Sequence, residues 1–579
     1  MGTIGRRTFM ITGGATTIAL SLATLGRSRR ASARGRWGEL IADPEGVLDL
    51  PAGFSYEVLE AVGDDMDDGY RVPGRPDGMA CFAGPDDTLI LMRNHENSAG
   101  DLANGPYKTG QRPPVEAYED NATGGVTRVV IDANTYARIS SNLVLVGTVR
   151  NCAGGPSSPW CNASCRLAPE FSPRARSQNA AVPGVLQVLA TKPSAKRPSE
   201  AARGIAPRAA SPWGWLSCEE NTNINDGVRH GYTFLCPTDA ATVQTPQRID
   251  GYGRYNHEAV CVDPSNNYAY LTEDRGDSCL YRFVPDEVNE PFVGTLQALK
   301  VVGVDEYDTF GMAEDEVLDV EWVDIDNPDP DDDSVRDEAQ AKGAARIVRG
   351  EGIWFFEGQV YICSTSGGPI GKGQIFRLID GDSPTLELLV HATDQGVLDN
   401  PDNITVAPWG EVFIAEDGDG DQYIRWVNEL GEICDFARNA ISDSELAGVC
   451  FSPDGQAMFV NIQNDGLTLV VTGPFPMMGG GHGDGDGDTG DSETGDGDPG
   501  DGDPGDGDPG EAGDELGDGG DTGTGTGGDS DAGIEDAAGC SCSVEGDDPS
   551  GLAAAVTVAA AIVLRGLLVR GDEGDSVGD

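Results

Sequence analysis

The sequence has few basic residues and few histidines for its length. Its 579 residues include 39 lysines and arginines against 97 aspartates and glutamates, which leaves a formal net charge of −58. Nucleic-acid binding depends on clustered lysine and arginine, so this balance argues against a nucleic-acid partner. Because the chain has only five histidines, a metal site would rely mainly on oxygen ligands, which suit hard cations such as calcium.

Long helical patterns and long apolar runs are also nearly absent. Amphipathic helical spacing is limited to short stretches near 315–320 and 334–342, which excludes an all-helical fold. The most apolar run near the C-terminus spans 551–564 and is short for a membrane-spanning helix. Neither a helical bundle nor a multi-span membrane protein fits this sequence.

Short β-rich runs separated by turn residues are what the chain contains instead. Three segments, beginning at Asp263, Ala407 and Ser452, repeat one pattern: a proline-containing turn, an apolar strand and polar residues at the strand's end. Such repeats are typical of propellers, in which strand ends meet around a central channel. We therefore predict an all-β fold, a β-propeller over residues 36–475 with peripheral insertions.

The N-terminus predicts export. The pair Arg6-Arg7 precedes an uncharged apolar run over 11–25, and the small residues 31–33 offer a cleavage site. This order is typical of a twin-arginine signal peptide over residues 1–33 and is not that of a basic arm before a core helix. We expect the twin-arginine translocase and signal peptidase as partners during export, with the mature protein in the periplasm or on the outer cell surface.

The C-terminal part has two segments of different composition. Residues 476–539 are almost wholly Gly, Asp, Thr, Ser and Pro, which predicts an extended acidic linker. Residues 540–579 carry Cys540-Ser-Cys542, an apolar run and two arginines, and resemble the C-terminal sorting signals of myxobacterial-type surface proteins. A simple membrane anchor is the alternative. In either case we expect membrane contact only through this segment.

One internal segment departs from the acidic pattern. Residues 161–210 contain eight basic and two acidic residues, and Ser-Pro-Trp occurs on both sides, at 158–160 and 211–213. We predict a disordered basic insertion over 158–210 that has no part in the chemistry. The thirteen cysteines are scattered along the chain, so we expect at most one or two disulfides and one cysteine with another role.

Several short runs of polar residues, called strings here, lie where predicted strands end. The packing of propeller blades against one another does not require them. Carboxylates that meet at a propeller axis repel one another and lose their hydration, so their convergence would require bound cations. A thiolate among them, Cys152, would recruit a transition metal such as iron. Each string alone reads as a turn, a solvated pair or a core cysteine, but their joint occurrence favours a metal centre. The candidate ligands are Cys152, Glu96, Glu219, Glu220, Glu258, Glu273, Glu351 and Asp402.

In this order, the strings resemble the PhoX family of secreted bacterial alkaline phosphatases. The resemblance covers about 53–475, and residues 151–157 and 211–220 read as one motif once 158–210 is set aside. Its most specific parts are Arg93–Glu96, Gly147–Gly155, Trp213–Glu220, His257–Glu258, Tyr270–Arg275, Asn400–Asn403 and Ala447–Gly455.

The resemblance implies a six-bladed propeller whose channel holds iron (Fe3+) and calcium (Ca2+) and hydrolyses phosphate monoesters for phosphate scavenging. It implies that Arg349 and Asn94 hold the non-bridging phosphate oxygens and that Cys152 is the thiolate ligand to iron. Carboxylate ligands are implied at Glu273 and Glu351, with Glu96, Glu258 and one of Glu219 and Glu220 as further candidates. We expect a monomer that acts on small phosphate esters.

Two other functions stay open at this point. A calcium-dependent propeller could act as a lactonase or esterase, although such an enzyme needs neither Cys152 nor the motif from Arg349 to Glu351. The chain could also be a non-catalytic, calcium-stabilised surface propeller whose insertion has abolished activity. Fold alone does not choose between these functions.

Overall fold

The computed structural model describes residues 36–157, 214–225, 227–288, 290–427 and 432–476. The predicted signal peptide, basic insertion and C-terminal segment lie outside these residues, as does the linker after Pro476. Regular structure in the described ranges is almost entirely β-strand, which confirms the all-β prediction. No helix among them has the length and hydrophobicity needed to cross a membrane.

Helical structure is confined to short pieces. The described residues contain one α-helix, α1 (Val335–Ala341), and two 3-10 helices, Asp250–Tyr252 and Thr309–Gly311. The helical stretch predicted near 334–342 is thus confirmed. The one predicted near 315–320 was wrong, because Val317–Asp324 forms a strand that pairs on both sides within a sheet. Tertiary pairing overrides weak local helical spacing there.

The strands are numbered here in chain order. They are β1 (Leu40–Ile41), β2 (Leu48–Pro51), β3 (Ser55–Ala61), β4 (Pro76–Ala83), β5 (Thr88–His95), β6 (Gly124–Asp132), β7 (Arg138–Thr148), β8 (Asn151–Pro156), β9 (Gly214–Glu219), β10 (Ile224–Asn225), β11 (Val228–Arg229), β12 (Thr233–Pro237), β13 (Gln247–Arg248), β14 (His257–Val262), β15 (Ala269–Glu273), β16 (Tyr281–Pro285), β17 (Gly294–Val301), β18 (Val317–Asp324), β19 (Gly350–Phe356), β20 (Gln359–Ser364), β21 (Gln374–Ile379), β22 (Thr385–His391), β23 (Pro401–Val406), β24 (Val412–Glu416), β25 (Tyr423–Val427), β26 (Ile433–Asn439), β27 (Leu446–Phe451), β28 (Ala457–Ile462) and β29 (Leu467–Thr472).

Antiparallel pairing groups these strands into blade-like sheets. Three sheets have four strands, in the orders β4-β5-β6-β7, β8-β9-β12-β13 and β27-β28-β29-β3. A six-stranded sheet has the order β23-β24-β25-β26-β2-β1, and a nine-stranded sheet runs from β14 to β18 and then from β22 back to β19. The N-terminal strands β2 and β3 therefore complete sheets built mainly from the C-terminal part, which closes the ring.

The first strands of the repeats, called here the inner strands, are β4, β8, β14, β19, β23 and β27. Each lies beside the next in this order, and β27 lies beside β4. This ring confirms the propeller-like arrangement. The number of blades stays a prediction, because β18 pairs with β22 and so merges the strands around β14 and β19 into one sheet.

Glycines allow the inner strands to approach one another closely. A Cβ atom at Gly155 would lie 1.8 Å from the carbonyl oxygen of Val260, and one at Gly448 would lie 2.3 Å from that of Asp77. Any larger residue would force the neighbouring backbone away. The inner strands therefore pack closely against one another at these positions.

Apolar side chains fill the spaces between sheets. One such core is packed among the C-terminal strands and contains an aromatic cluster. In this cluster the ring centroids of Trp37 and Trp426 are 4.4 Å apart. All nine cysteines in the described part of the chain are buried and free. The expected disulfide is therefore not found among them, since these thiols behave as small core residues.

The strands on either side of the predicted insertion form one hairpin. Strand β8 pairs with β9 from Asn151 opposite Glu219 to Pro156 opposite Trp215. The Ser157 amide donates to the Gly214 carbonyl at 2.8 Å, and the Gly214 amide donates to Ser157 Oγ at 2.6 Å. The chain therefore leaves and re-enters at the end of this hairpin that is remote from Asn151.

Candidate active site

Every inner strand has a β-bulge near its beginning. The register shifts lie between Pro76 and Met79, Asn151 and Gly154, His257 and Val260, Gly350 and Ile353, Pro401 and Ile404, and Ala447 and Cys450. A bulge redirects a side chain away from the regular alternation of a strand. The second residues of the six strands are Asp77, Cys152, Glu258, Glu351, Asp402 and Ala447, and the first five of these are possible metal ligands.

The second strand of each repeat ends beside the bulge of the first. In each case, the residue that follows the second strand donates its amide to the carbonyl of the residue that precedes the inner strand. The pairs are Glu96 to Arg75, Glu220 to Arg150, Asp274 to Asn256, Thr365 to Arg349, Asp417 to Asn400 and Gln463 to Glu445, at 2.9 to 3.3 Å. This repeated bond brings Glu96, Glu220, Asp274 and Asp417 to the level of the bulges.

Three groups of side chains result, and in each group the possible ligand atoms lie within 4.8 Å of one another. The first group is Asp77, Glu96 and Cys152, and the second is Cys152, Glu220 and Glu258. The third group contains only carboxylates: Asp402, Asp417 and Glu445. The first two groups share the Cys152 thiol, so they form one continuous cluster.

Some acids at this end of the channel have carboxylate oxygens without a hydrogen-bond partner among the described residues. Within the described residues, neither oxygen of the Glu258 carboxylate has a hydrogen-bond partner, and the same is true of Asp77 Oδ1 and Glu351 Oε2. Burial, followed by repulsion from Glu351 and Asp402, raises the pKa of Glu258 well above its ordinary value. Either protons or cations must neutralise such a cluster, and the donor set fits cations.

Burial and neighbouring acids also raise the pKa of other members of the ligand groups. Burial and the neighbouring Asp417 raise the pKa of Asp402 to about 8, and burial raises the pKa of Asp417 to about 6. Burial, with Asp77 and Glu258, raises the pKa of the Cys152 thiol well above its usual range. A bound metal would reverse that shift, because metal coordination stabilises the thiolate.

Two arginines border the cluster, each just before an inner strand. Arg349 donates from Nε to Asp274 Oδ1 at 2.8 Å and from Nη2 to Glu351 Oε1 at 3.0 Å. Arg150 donates from Nε to Glu96 Oε1 at 2.9 Å, and its Nη2 forms an ion pair with Glu220 Oε2 at 2.6 Å. Both side chains are about one-fifth exposed, so their guanidinium groups lie between the buried acids and solvent.

A comparison with protein families identifies the chain. The family described as alkaline phosphatase PhoX matches residues 35–163 and 208–466, which is more than half of the sequence. This chain belongs to the PhoX family. It is therefore a phosphatase. The match omits 164–207, which lie within the predicted insertion, and no curated protein matches the chain.

The solved structure of a PhoX protein shows the same fold as this PhoX-family chain. Pseudomonas fluorescens PhoX, in complex with the transition state analogue vanadate, aligns with 75% of this chain and 97% of that chain. The sequence identity is 17% and the TM-score is 0.51. A gluconolactonase from Xanthomonas campestris aligns with 76% of this chain and 98% of that chain at 11% identity, but its TM-score of 0.34 is too low to bear on function.

Six of the predicted ligands lie together at this end of the channel in the PhoX-family chain: Cys152, Glu96, Glu220, Glu258, Glu351 and Asp402. Glu219 and Glu273 do not join them. Each is the last paired residue of its strand, so its side chain points away from that of the next residue, Glu220 or Asp274. Their roles as ligands stay predictions without geometric support.

The two displaced glutamates have other partners. Glu219 Oε1 accepts from the Val149 amide at 2.9 Å and contacts His230 Nδ1 at 2.6 Å. Glu273 Oε2 accepts from the Tyr281 hydroxyl at 2.8 Å, and burial raises the pKa of Glu273 to about 7. Glu219 therefore joins the turn before β8 to the turn before β12, and Glu273 links β15 to β16.

The Asn94 side chain is already engaged in hydrogen bonds with the β8–β9 hairpin. Its amide group donates to the carbonyls of Cys152 at 3.1 Å and Ala153 at 2.7 Å. Its Oδ1 accepts from Trp215 Nε1 at 2.7 Å and Ser217 Oγ at 2.8 Å. With every donor and acceptor engaged, this side chain fixes β8 against β5 and β9, and a phosphate contact would require it to release these partners.

Several members of the site were not singled out from the sequence. Asp274 and Asp417 could have been found, because Glu-Asp occurs at 273–274 and at 416–417 and strand alternation favours the second residue of each pair. Arg150 lies within the motif Gly147–Gly155, two residues before Cys152, although the motif alone assigned it no role. No sequence signal marks Asp77, Glu445 and Gln463, which the ring brings in from separate repeats.

Proposed function

We propose that this chain hydrolyses phosphate monoesters for phosphate scavenging, through iron and calcium ions held where the inner strands begin. The observation that carries the proposal is the convergence of three ligand groups with unpartnered carboxylate oxygens beside Arg349. Membership of the PhoX family supplies the reaction class, and the donor chemistry of this chain supports the metals.

The two kinds of ligand group suit two kinds of cation. Groups that contain the Cys152 thiol offer a soft donor together with carboxylates, which favours iron. The third group, Asp402, Asp417 and Glu445, offers oxygen alone, which favours calcium. When bound, such cations neutralise the transferred phosphoryl group and activate an oxygen nucleophile.

The residues of this chain orient the substrate. A planar guanidinium can donate to two phosphate oxygens at once, so Arg349 would hold the phosphoryl group next to the ligand groups. Asp274 and Glu351 fix its direction through hydrogen bonds on Nε and Nη2. Asn94 would contribute indirectly, by holding the backbone of Cys152 and Ala153.

We also propose that the propeller has six blades, with the nine-stranded sheet counted as two. Six inner strands with six equivalent bulges support this count. The six equivalent amide-to-carbonyl bonds at the ends of the second strands support it as well. A nine-strand sheet that joins two blades through their outer strands would leave this inner symmetry unchanged.

Export and surface attachment form a separate part of the proposal. The twin-arginine route carries folded proteins, and a propeller whose ring needs both N-terminal and C-terminal strands suits export after its metals are bound. We propose that 1–33 directs this export and that 540–579 retains the protein at the cell surface, with 476–539 as the spacer. Replacement of Arg6-Arg7 by Lys-Lys should leave the protein in the cytoplasmic fraction.

The decisive experiment combines metal analysis with hydrolysis of p-nitrophenyl phosphate by the purified full-length protein. We expect both iron and calcium together with phosphatase activity. Arg349→Ala should weaken hydrolysis while the metal content stays unchanged, because the two acids that Arg349 contacts, Asp274 and Glu351, belong to none of the three ligand groups. Calcium without iron, or loss of metal from the Arg349 variant, would contradict the proposed arrangement.

A further inference from the structure

Arg150 lies between the two ligand groups that share Cys152. Its Nε donates to Glu96, a member of the first group, and its Nη2 pairs with Glu220, a member of the second. Cys152, which belongs to both groups, follows two residues later in the chain. One guanidinium therefore spans the acids on both sides of the shared thiol.

The backbone at Arg150 is held in an unfavourable conformation. Its φ of 53° lies in the left-handed region, which residues with a Cβ atom rarely adopt. The Arg150 amide donates to the Asn97 carbonyl at 2.9 Å, and its own carbonyl accepts from the Glu220 amide at 2.9 Å. Conformations of this kind persist only where the surroundings enforce them, and they concentrate at functional sites.

A buried polar network also holds the turn that contains Arg150. The amide of Val149, which precedes Arg150, donates to Glu219 Oε1 at 2.9 Å. Glu219 in turn contacts His230 Nδ1 at 2.6 Å, and His230 Nε2 lies 2.9 Å from Glu119. Glu219 Oε2 also accepts from the Gly231 amide at 2.9 Å. This network ties the turn before β8 to the turn before β12.

Arg75 provides a natural comparison, because it occupies the same position before β4. It also has a left-handed backbone, with a φ of 46°, and its carbonyl accepts from the Glu96 amide. Its guanidinium, however, pairs with Asp101 at 3.7 Å, outside the three ligand groups. The two arginines thus share a backbone role and differ in what their side chains hold.

We propose that Arg150 is a positioning residue that sets the separation of Glu96 and Glu220 on either side of Cys152, and thereby the spacing of the metals bound there. The inference rests on the proposed function, since it assumes that both groups bind metal. It assigns to Arg150 a role in building the centre, whereas Arg349 acts on the substrate.

The test compares Arg150→Ala, Arg150→Lys and the control Arg75→Ala in the full-length protein. Iron and calcium per chain are measured together with the visible absorption of an iron–thiolate bond and with kcat and KM for p-nitrophenyl phosphate. We expect Arg150→Ala to lose most of its iron, its visible absorption and its kcat. Arg150→Lys should regain part of each, because an ammonium keeps the charge but not the planar fork. Arg75→Ala should match the unchanged protein.

The outcomes separate the two proposals. If Arg150→Ala keeps the metal content and spectrum of the unchanged protein and only its KM rises, Arg150 contacts substrate and the positioning role is wrong. If Arg150→Ala does not fold, Arg150→Lys decides, and a normal iron content and spectrum in that variant would likewise overturn the inference. If the unchanged protein contains no metal, the proposed function fails and takes this inference with it.

Discussion

The two sides of the channel mouth are built on the same repeat and carry different chemistry. On one side, Cys152 joins two ligand groups that Arg150 spans. On the other side, Asp402, Asp417 and Glu445 form a group of carboxylates alone. Both use a bulged inner strand and the residue after a second strand. One backbone design therefore presents different ligands, and the residue type at each equivalent position decides which cation each side suits.

Replacement of the Cys152 thiol, which the first two ligand groups share, should have the largest effect on the side of the channel mouth that suits iron. Cys152→Ser should remove iron and lower phosphatase activity roughly 100-fold or more, the size of effect seen when a charge-stabilising group is lost from a buried site. Calcium at the carboxylate group should remain, since Cys152 is not part of it. Metal analysis and p-nitrophenyl phosphate hydrolysis check both statements.

Cys218→Ser is the matched control for that variant. Cys218 is also buried on the hairpin of β8 and β9, but its Sγ lies 3.6 Å from Thr233 Oγ1 and outside the ligand groups. A serine there keeps a hydrogen-bond partner, so iron and activity should be retained. Equal losses in the two variants would show that any polar change in this hairpin abolishes the site.

A change in the third ligand group, which contains only carboxylates, should affect calcium and not iron. Glu445→Gln should weaken calcium binding about 10-fold or more and leave iron in place, because its group contains no thiol. Calcium titration of the variant after partial chelation, with iron measured in parallel, checks this. Loss of iron together with calcium would mean that the two sides form one inseparable cluster.

Metal removal should expose the repulsion between the acids as a pH dependence of stability. In the metal-free folded protein, the pKa of Asp417 is about 6 and that of Asp402 about 8, both raised above their ordinary value of 3.8. As pH rises, these two aspartates therefore lose their protons at a lower pH in the unfolded chain than in the folded protein. The free energy of unfolding should therefore fall from about pH 4 to about pH 8.

Urea unfolding of the chelated protein at pH 5.5 and pH 8.5 measures this effect. The midpoint should be lower at pH 8.5, and calcium should restore it by binding the folded form. A chelated protein that is as stable at pH 8.5 as at pH 5.5 would show that the acids do not repel one another as described.

The smallest effect is expected at the far end of the β8–β9 hairpin. Ser157 and Gly214 are already hydrogen-bonded as neighbours, and about 17 Å of strand separates Ser157 from Cys152. Deletion of 158–213 with a two-residue Asn-Gly turn in its place should leave metal content unchanged and activity within about twofold, since such turns suit two-residue hairpins. A large loss of activity would assign 158–213 a part in the site.

Sequence patterns located much of the site but not its details. The repeated strand-end strings correctly predicted an all-β propeller and brought attention to Cys152, Glu96, Glu220, Glu258 and Asp402. They did not distinguish Glu219 from Glu220 or Glu273 from Asp274, because adjacent acids look equivalent in a string. The distinction depends on which residue is the last one paired in the ladder.

The sequence by itself determined the β-rich repeats, the acidic balance and the types of ligand available, since these depend on residue identity and local order. The PhoX family also follows from the sequence, as its match over 35–163 and 208–466 requires no coordinates. Each of these properties depends on residue types and their order along the chain, so coordinates are not needed to obtain it.

Only the tertiary structure decided which residues meet. Asp77 and Cys152 come from different repeats, as do Asp402 and Glu445, and closure of the ring brings each pair together. The direction of each side chain then follows from bulges and from ladder register, which depend on pairing between distant segments. A metal site in a propeller is for this reason a property of the closed ring, not of any single motif.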